Sequence, residues 1–363
     1  MRYLDEFRDR SLAEALASKI QAINSKNLNF MEVCGTHTVT IFKSGIKELL
    51  KDKVNLISGP GCPVCVTSTQ DVDKAISIGK MNGVILATFG DMLKVPGSLS
   101  SLEKERAKGS DIRVIYSSLD AVDIARKNPQ KKVVLLAIGF ETTAPTIACA
   151  ISSALKMHLS NFFILCLHKL IPPAMKALLD AGEINLHGFI CPGHVSTIIG
   201  SNPYRFITRD YRIPCVIAGF EPTDVLQAIL MLLSQQKDGE NHVMIQYKRG
   251  VSEKGNPTAL HLMDEVFERC DSHWRGIGTI PGSGLRLTHK YKKFDVEDHF
   301  DIPEGKDYEH PDCICGQILR GIKKPTDCKA FGKGCHPDHP IGPCMVSLEG
   351  SCAAYYHYGR KEI

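Results

Sequence analysis

From residue 28 to about residue 236 the chain alternates short, near-continuously apolar runs with amphipathic stretches, and this rhythm restricts the fold more than any other feature. The runs are Phe30 to Val33, Val54 to Ser58, Val84 to Phe89, Ile112 to Tyr116, Val133 to Ile138, Phe162 to Leu167, Leu186 to Ile190 and Cys215 to Ala218. Between them lie helical stretches at Ile41 to Leu50, Val72 to Gly79, Leu119 to Lys127 and Asp224 to Leu233. Strands that are apolar on both faces must be covered on both, so this alternation predicts an α/β protein with parallel sheets between layers of helix. Eight units exceed one small sheet, and Asn128-Pro129-Gln130-Lys131-Lys132 is a polar joint. Two α/β domains are therefore expected, 28–128 and 129–240. Ser11-Leu12-Ala13-Glu14 reads as a capping box, with Leu12, Leu16 and Ile20 on one stripe, so 1–27 is expected as a helical extension.

The region 241–363 is expected as a third, loop-rich domain. Its last 63 residues hold six prolines and six of the 14 cysteines, with too little periodicity to form a core without a metal or cluster. The start, Met1-Arg2-Tyr3-Leu4-Asp5-Glu6, lacks an apolar signal region, and the longest apolar runs fall far short of the ~20 residues that span a bilayer. The expectation is a cytoplasmic protein without a membrane segment. In that reducing compartment 14 cysteines point to metal binding or redox chemistry, not a disulfide framework. A balance of 44 basic and 40 acidic residues is too even for nucleic-acid binding, and no phosphate loop or Gly-x-Gly-x-x-Gly fingerprint supports a nucleotide.

Cys313, Cys315, Cys328, Cys335, Cys344 and Cys352 fall within forty residues. Structural zinc sites use two tight pairs, whereas Cys313, Cys328, Cys335 and Cys352 are separated by fourteen, six and sixteen residues, which favours an iron–sulfur cluster. His310, His336 and His339 keep a mixed zinc site open, and spacing alone does not choose four of the six cysteines. Cys62-Pro63-Val64-Cys65 follows a strand and Gly59-Pro60-Gly61, the arrangement of a redox or iron-binding dithiol; half of a zinc site and an inert pair are the alternatives.

Cys34-Gly35-Thr36-His37-Thr38 stands where the first strand meets a helix, so Cys34 is a candidate reactive thiolate or metal ligand and His37 a second ligand or a hydrogen-bond partner. Against that stands a plain core cysteine. Cys149, Cys166, Cys215 and Cys270 are read as packing residues, and the roles of Cys191, Cys315 and Cys344 are open. Two short echoes recur after strands. Gly139-Phe140-Glu141-Thr142-Thr143 is matched by Gly219-Phe220-Glu221-Pro222-Thr223, and Gly59-Pro60-Gly61-Cys62 by Cys191-Pro192-Gly193-His194 and Pro281-Gly282-Ser283-Gly284. Each is a candidate strand-to-helix turn at a sheet edge, which makes Glu141 and His194 site candidates and Asp91 a weaker one.

Together Cys34-Gly35-Thr36-His37, Gly59-Pro60-Gly61-Cys62-Pro63-Val64-Cys65, Gly139-Phe140-Glu141-Thr142-Thr143-Ala144-Pro145, Pro192-Gly193-His194-Val195 and the tail as far as Ser351-Cys352-Ala353-Ala354-Tyr355-Tyr356 resemble the HypD family of [NiFe]-hydrogenase maturation factors. The resemblance implies two Rossmann-like domains plus a cluster domain. It implies a scaffold that, with the small chaperone HypC, assembles and carries the Fe(CN)2CO unit of the hydrogenase, with cyanide arriving through HypE from a thiocarbamate made by HypF. By the same resemblance Cys34 would bind the transient iron with His37 in support, Cys62 and Cys65 would be the redox pair, and Cys313, Cys328, Cys335 and Cys352 would hold a [4Fe-4S] cluster. A cluster-dependent protein disulfide reductase, with Cys34 incidental, is the competing expectation.

Overall fold

A computed structural model describes residues 8–23, 27–303, 305 and 308–359; the charged opening Met1 to Glu6 lies outside them. Among these residues nine parallel strands form two sheets. The first contains β1 (Leu28–Glu32), β2 (Val54–Ser58), β7 (Gly188–Pro192), β8 (Cys215–Ala218) and β9 (Val243–Ile245), in the order β2-β1-β7-β8-β9. The second contains β3 (Val84–Thr88), β4 (Ile112–Val114), β5 (Lys132–Ala137) and β6 (Phe162–Cys166), in the order β4-β3-β5-β6. The α/β class with two parallel sheets is as the apolar runs require.

The domain boundaries differ from the sequence expectation. The chain lays down β1 and β2, leaves to build the whole second sheet, and returns to complete the first with β7 to β9. The polar joint at 128–132 is a surface turn inside the second sheet, since β5 pairs directly with β3 from Val84↔Lys132 onward. Nor is 241–363 one unit. β9 extends the first sheet, and an antiparallel hairpin, β10 (Phe267–Trp274) and β11 (Gly278–Leu287), packs Phe267, Leu285 and Leu287 into the second sheet's core. Pro281-Gly282-Ser283-Gly284 therefore lies within a strand and makes no strand-to-helix turn.

Alternate residues of each strand point to opposite faces, and the two sheets share the layer between them. Met31, Phe189 and Ile217 of the first sheet and Leu86, Val134, Leu136 and Phe163 of the second join one buried core. That same core takes in Cys62, Cys65, Cys315, Cys335, Cys344 and Cys352, so the tail is packed into the seam between the sheets. On the outer face of the first sheet the helix Arg10–Ala22 buries Leu16 and Ile20 with Val225, Ile229 and Leu232 of the helix Pro222–Asp238. That N-terminal helix is capped by Asp9, whose carboxylate accepts from the Leu12 amide at 3.0 Å, so the capping box expected at Ser11 does not form. Among the described residues no helix is long and apolar enough to cross a membrane.

Candidate functional site

In the first sheet strand order reverses beside β1, whose neighbours are β2 and β7. Open α/β sheets bind ligands beyond the carboxyl ends of the strands at such a reversal. Cys34 sits there, its backbone still extended (φ −154°), as the residue before the helix Gly35–Lys43. Its N–H donates to Glu32 Oε2 at 3.0 Å, and Thr38 Oγ1 donates to the other oxygen, so a buried carboxyl fixes the turn. Burial pushes Glu32 up to about 8 and the Cys34 thiol up to about 12. The bare thiol is thus protonated at neutral pH, and a metal bound there must displace the proton.

Two glycines let other segments reach this turn. A Cβ on Gly61 would stand 2.2 Å from the Cys34 nitrogen, and Gly35 N–H donates to Gly61 O at 3.0 Å. A Cβ on Gly35 would stand 2.4 Å from the Glu349 carbonyl oxygen, and Thr36 Oγ1 donates to Glu349 Oε1 at 2.6 Å. The loop that carries Cys62 and the strap between Cys344 and Cys352 therefore both meet at Cys34. The strap also reaches the second sheet, where Ser347 Oγ donates to Asp91 Oδ2 at 3.0 Å.

His37 is fully buried on the first turn of the helix. Burial lowers its pKa to about 4, against its backbone bonds, so the ring is neutral at physiological pH. Its Nε2–H donates to Gly219 O at 2.9 Å, leaving Nδ1 a buried lone pair without a partner. Phe220 stacks on His37 at 5.1 Å and on exposed His194 at 3.7 Å between ring centroids. The loops after β1, β7 and β8 thus bring the predicted Cys34, His37 and His194 to one sheet edge.

Cys62 and Cys65 are both buried. Cys62 precedes the one-turn helix Pro63–Val66 and accepts the Cys65 N–H at Sγ, 3.4 Å away. Burial raises the Cys65 thiol well above its ordinary value, and its other neighbours include Cys344. Cys344 in turn has its sulfur 2.8 Å from that of Cys315. Cys315 and Cys344 stand in the wall of a small cavity, together with all four of the predicted cluster ligands, Cys313, Cys328, Cys335 and Cys352. The rest of the lining is apolar, including Ile314, Ile318, Phe331, Ile341 and Met345, and no histidine takes part. His336 and His339 instead pair with each other through their backbone. Among the described residues no three cysteine, histidine or carboxylate side chains close around a single point. The thiols ring a space. An all-sulfur, apolar-walled cavity fits an iron–sulfur cluster by donor chemistry. All fourteen cysteines are free thiols.

Nothing local pairs Cys315 with Cys344, which lie 29 positions apart; Cys344 follows Gly342-Pro343, a flank like that of Cys62, while Cys315 has only Gly316 beside it. Cys149, expected inside, faces out, because its helix Ala144–Lys156 turns Ile147, Ala148 and Ile151 inward instead. Glu141 belongs to the other sheet. Its carboxylate accepts the Ile171 N–H at 3.1 Å, at the start of the helix Ile171–Ala181, and burial raises its pKa to about 7. It makes no contact with Cys34.

Residues 11–359 match the family described as the Hydrogenase formation hypA family, HypD. The chain is 47% identical to hydrogenase maturation factor HypD2 of Bradyrhizobium diazoefficiens, with 99% of this chain and 97% of the relative aligned. It is 48% identical to hydrogenase maturation factor HypD of Azotobacter vinelandii (99% and 98%) and 46% identical to that of Cupriavidus necator (100% and 99%).

Proposed function

Because the chain belongs to the HypD family and is a hydrogenase maturation factor, we propose that it is the scaffold on which the Fe(CN)2CO unit is assembled, held at Cys34 and served by a buried thiol relay. The observation that carries this reading is the contact of three segments at one turn: the Cys34 loop, the Cys62 loop at Gly61, and the tail strap at Glu349.

Cys34 gives up its proton to hold the iron substrate as a thiolate, a soft ligand suited to iron bearing cyanide and carbon monoxide. Glu32 keeps the turn in place by accepting the Cys34 N–H. Neutral His37 supports Cys34 from the first helical turn, its orientation fixed by the bond to Gly219 O. Cys62 and Cys65 cycle between disulfide and dithiol, a change that takes up two electrons and two protons. Cys344 and Cys315 continue the line of sulfur from Cys65 to the cavity. A [4Fe-4S] cluster held by Cys313, Cys328, Cys335 and Cys352 would supply single electrons there.

The burial of Cys62 and Cys65, 3% and 0% exposed, counts against the disulfide-reductase alternative, because a protein disulfide would have to reach them through the core. HypC is proposed to dock over the Cys34 edge, where His194 and Leu348 are exposed, with HypE delivering cyanide to the same face and HypF acting only through HypE. Two measurements on the anaerobically purified protein test the core of this. Iron and acid-labile sulfide are expected at about four each per chain; zinc at one per chain without sulfide would overturn the cluster. Cys62→Ala and Cys65→Ala are expected to abolish hydrogenase maturation, and maturation at the wild-type level would overturn the relay.

A further inference from the structure

The net charge of the whole chain is +4. The stretch from Cys313 to His336 contains Arg320, Lys323, Lys324, Lys329 and Lys333 against a single acid, Asp327, so the rest of the chain is balanced. Arg320 is spent on Glu183. The four lysines are all exposed and make no ion pair among the described residues, while Asp327 accepts the Lys324 backbone N–H at 2.8 Å.

Their position is specific. Lys329 lies between Cys328 and Ala330, and Lys333 between Phe331 and Cys335, all four neighbours being in the wall of the cysteine cavity. Lys323 and Lys324 rim the adjoining hollow, which shares Ile318 with that cavity. The cavity itself has two sides. Cys315, Cys335, Cys344 and Cys352 are buried, and Cys344 adjoins Cys65; Cys313 and Cys328 are half-exposed. Acids close by in the chain are Glu309 and Asp312 before Cys313, and Asp338 after Cys335; Asp338 lies 3.9 Å from His336.

We infer that this lysine rim is the docking face for an acidic one-electron carrier protein, which delivers reducing equivalents at the outer, Cys328 side of the cysteine cavity. The inference rests on the relay proposed above. The electrons balance: two carrier molecules each lose one electron, and the Cys62–Cys65 disulfide takes up both with two protons to become two thiols. A carrier must dock because the dithiol is sealed in the core, and the half-exposed cysteines are where the line of thiols nears solvent. Four unpaired lysines around that opening set up a field that steers an acidic surface to it and raises its association rate by ~10- to 1000-fold at low salt.

The test uses the full chain with its cluster and the Cys62–Cys65 pair oxidised. Alkylation of Cys62 and Cys65, read by mass, follows their reduction by a photoreduced acidic [2Fe-2S] ferredoxin and, separately, by dithionite. The wild type is expected to react with the ferredoxin about tenfold or more slower when salt is raised from about 50 to 300 mM. The variant with Lys323→Glu, Lys324→Glu, Lys329→Glu and Lys333→Glu is expected to be at least tenfold slower at low salt, with little salt dependence, and unchanged with dithionite. Reduction of this variant by ferredoxin at the wild-type rate would overturn the inference, as would equal slowing with dithionite, which would mean that the lysines hold the cavity together. If neither reductant opens the disulfide in the wild type, the relay fails, and the docking face is then decided by binding alone. Salt-sensitive ferredoxin binding that the variant loses upholds the face; equal binding by the variant, or preference for a basic carrier or duplex DNA, removes it.

Discussion

The carboxyl edges of the two sheets start from the same turn and end in opposite uses. Each carries a Gly-Phe-Glu loop, after β8 in the first sheet and after β5 in the second. At the first edge Phe220 lies against two histidines, one with an unpaired buried nitrogen, and Cys34 stands at the strand reversal. At the second edge the polar groups are already engaged. Glu141 holds the Ile171 amide, His168 lies 3.3 Å from Thr143 Oγ1, and fully buried Lys169 donates to Asp71 at 3.2 Å and to Ser272 at 2.7 Å. The hairpin seals this edge, Leu170 N–H donating to Ser283 O at 2.8 Å. A turn that suits ligand binding becomes a structural joint once another element satisfies its polar groups.

The comparison breaks if substitutions at the two edges have the same kind of effect. The largest expected effect is at the first: Cys34→Ala should cut hydrogenase maturation by about 100-fold or more, while losing one buried sulfur should cost only about 1–2 kcal/mol in urea denaturation. At the second edge Asp71→Ala leaves Lys169 buried with only a hydroxyl, so urea denaturation should show a loss of about 3–4 kcal/mol. Glu141→Gln sharpens the contrast through pH. The folded carboxyl keeps its proton up to about 7, while the unfolded one loses it near 4.5, so the native state binds more protons between these values. Wild-type stability should therefore fall as pH rises through that window and level off above it, and the Gln variant should be flatter by on the order of 2–3 kcal/mol. The smallest effect belongs to the strap. Thr36→Val removes the bond to Glu349 and should cost about 1 kcal/mol or less.

Much of the fold is legible because buried parallel strands announce themselves as apolar runs, and each of the eight runs overlaps an observed strand. Val243–Ile245 is too short to stand out, and β10 hides behind Glu268, Arg269 and Asp271, which face outward on a hairpin covered on one side only. The interleaving of the sheets is illegible for a different reason. Apolar runs state that a strand is buried but not which strand it pairs with, so β1 gives no hint that its second neighbour is β7, more than 150 residues away. The site divides in the same way. Gly35 after Cys34 and Gly61 and Pro63 around Cys62, with Cys65 three residues on, are a local signal, whereas the approach of Gly61 to Cys34 and of Cys344 to Cys315 exists only in the folded chain.

The proposed function requires iron to be held at Cys34, with no part played by the edge of the second sheet. Infrared spectra of the anaerobic protein copurified with the proposed partner HypC decide this, since bound cyanide and carbon monoxide absorb where the protein does not. Those bands are expected in the wild type and in Glu141→Gln, and are expected to be absent in Cys34→Ala. Bands that persist in Cys34→Ala, or vanish with Glu141→Gln while that variant remains folded, would contradict it.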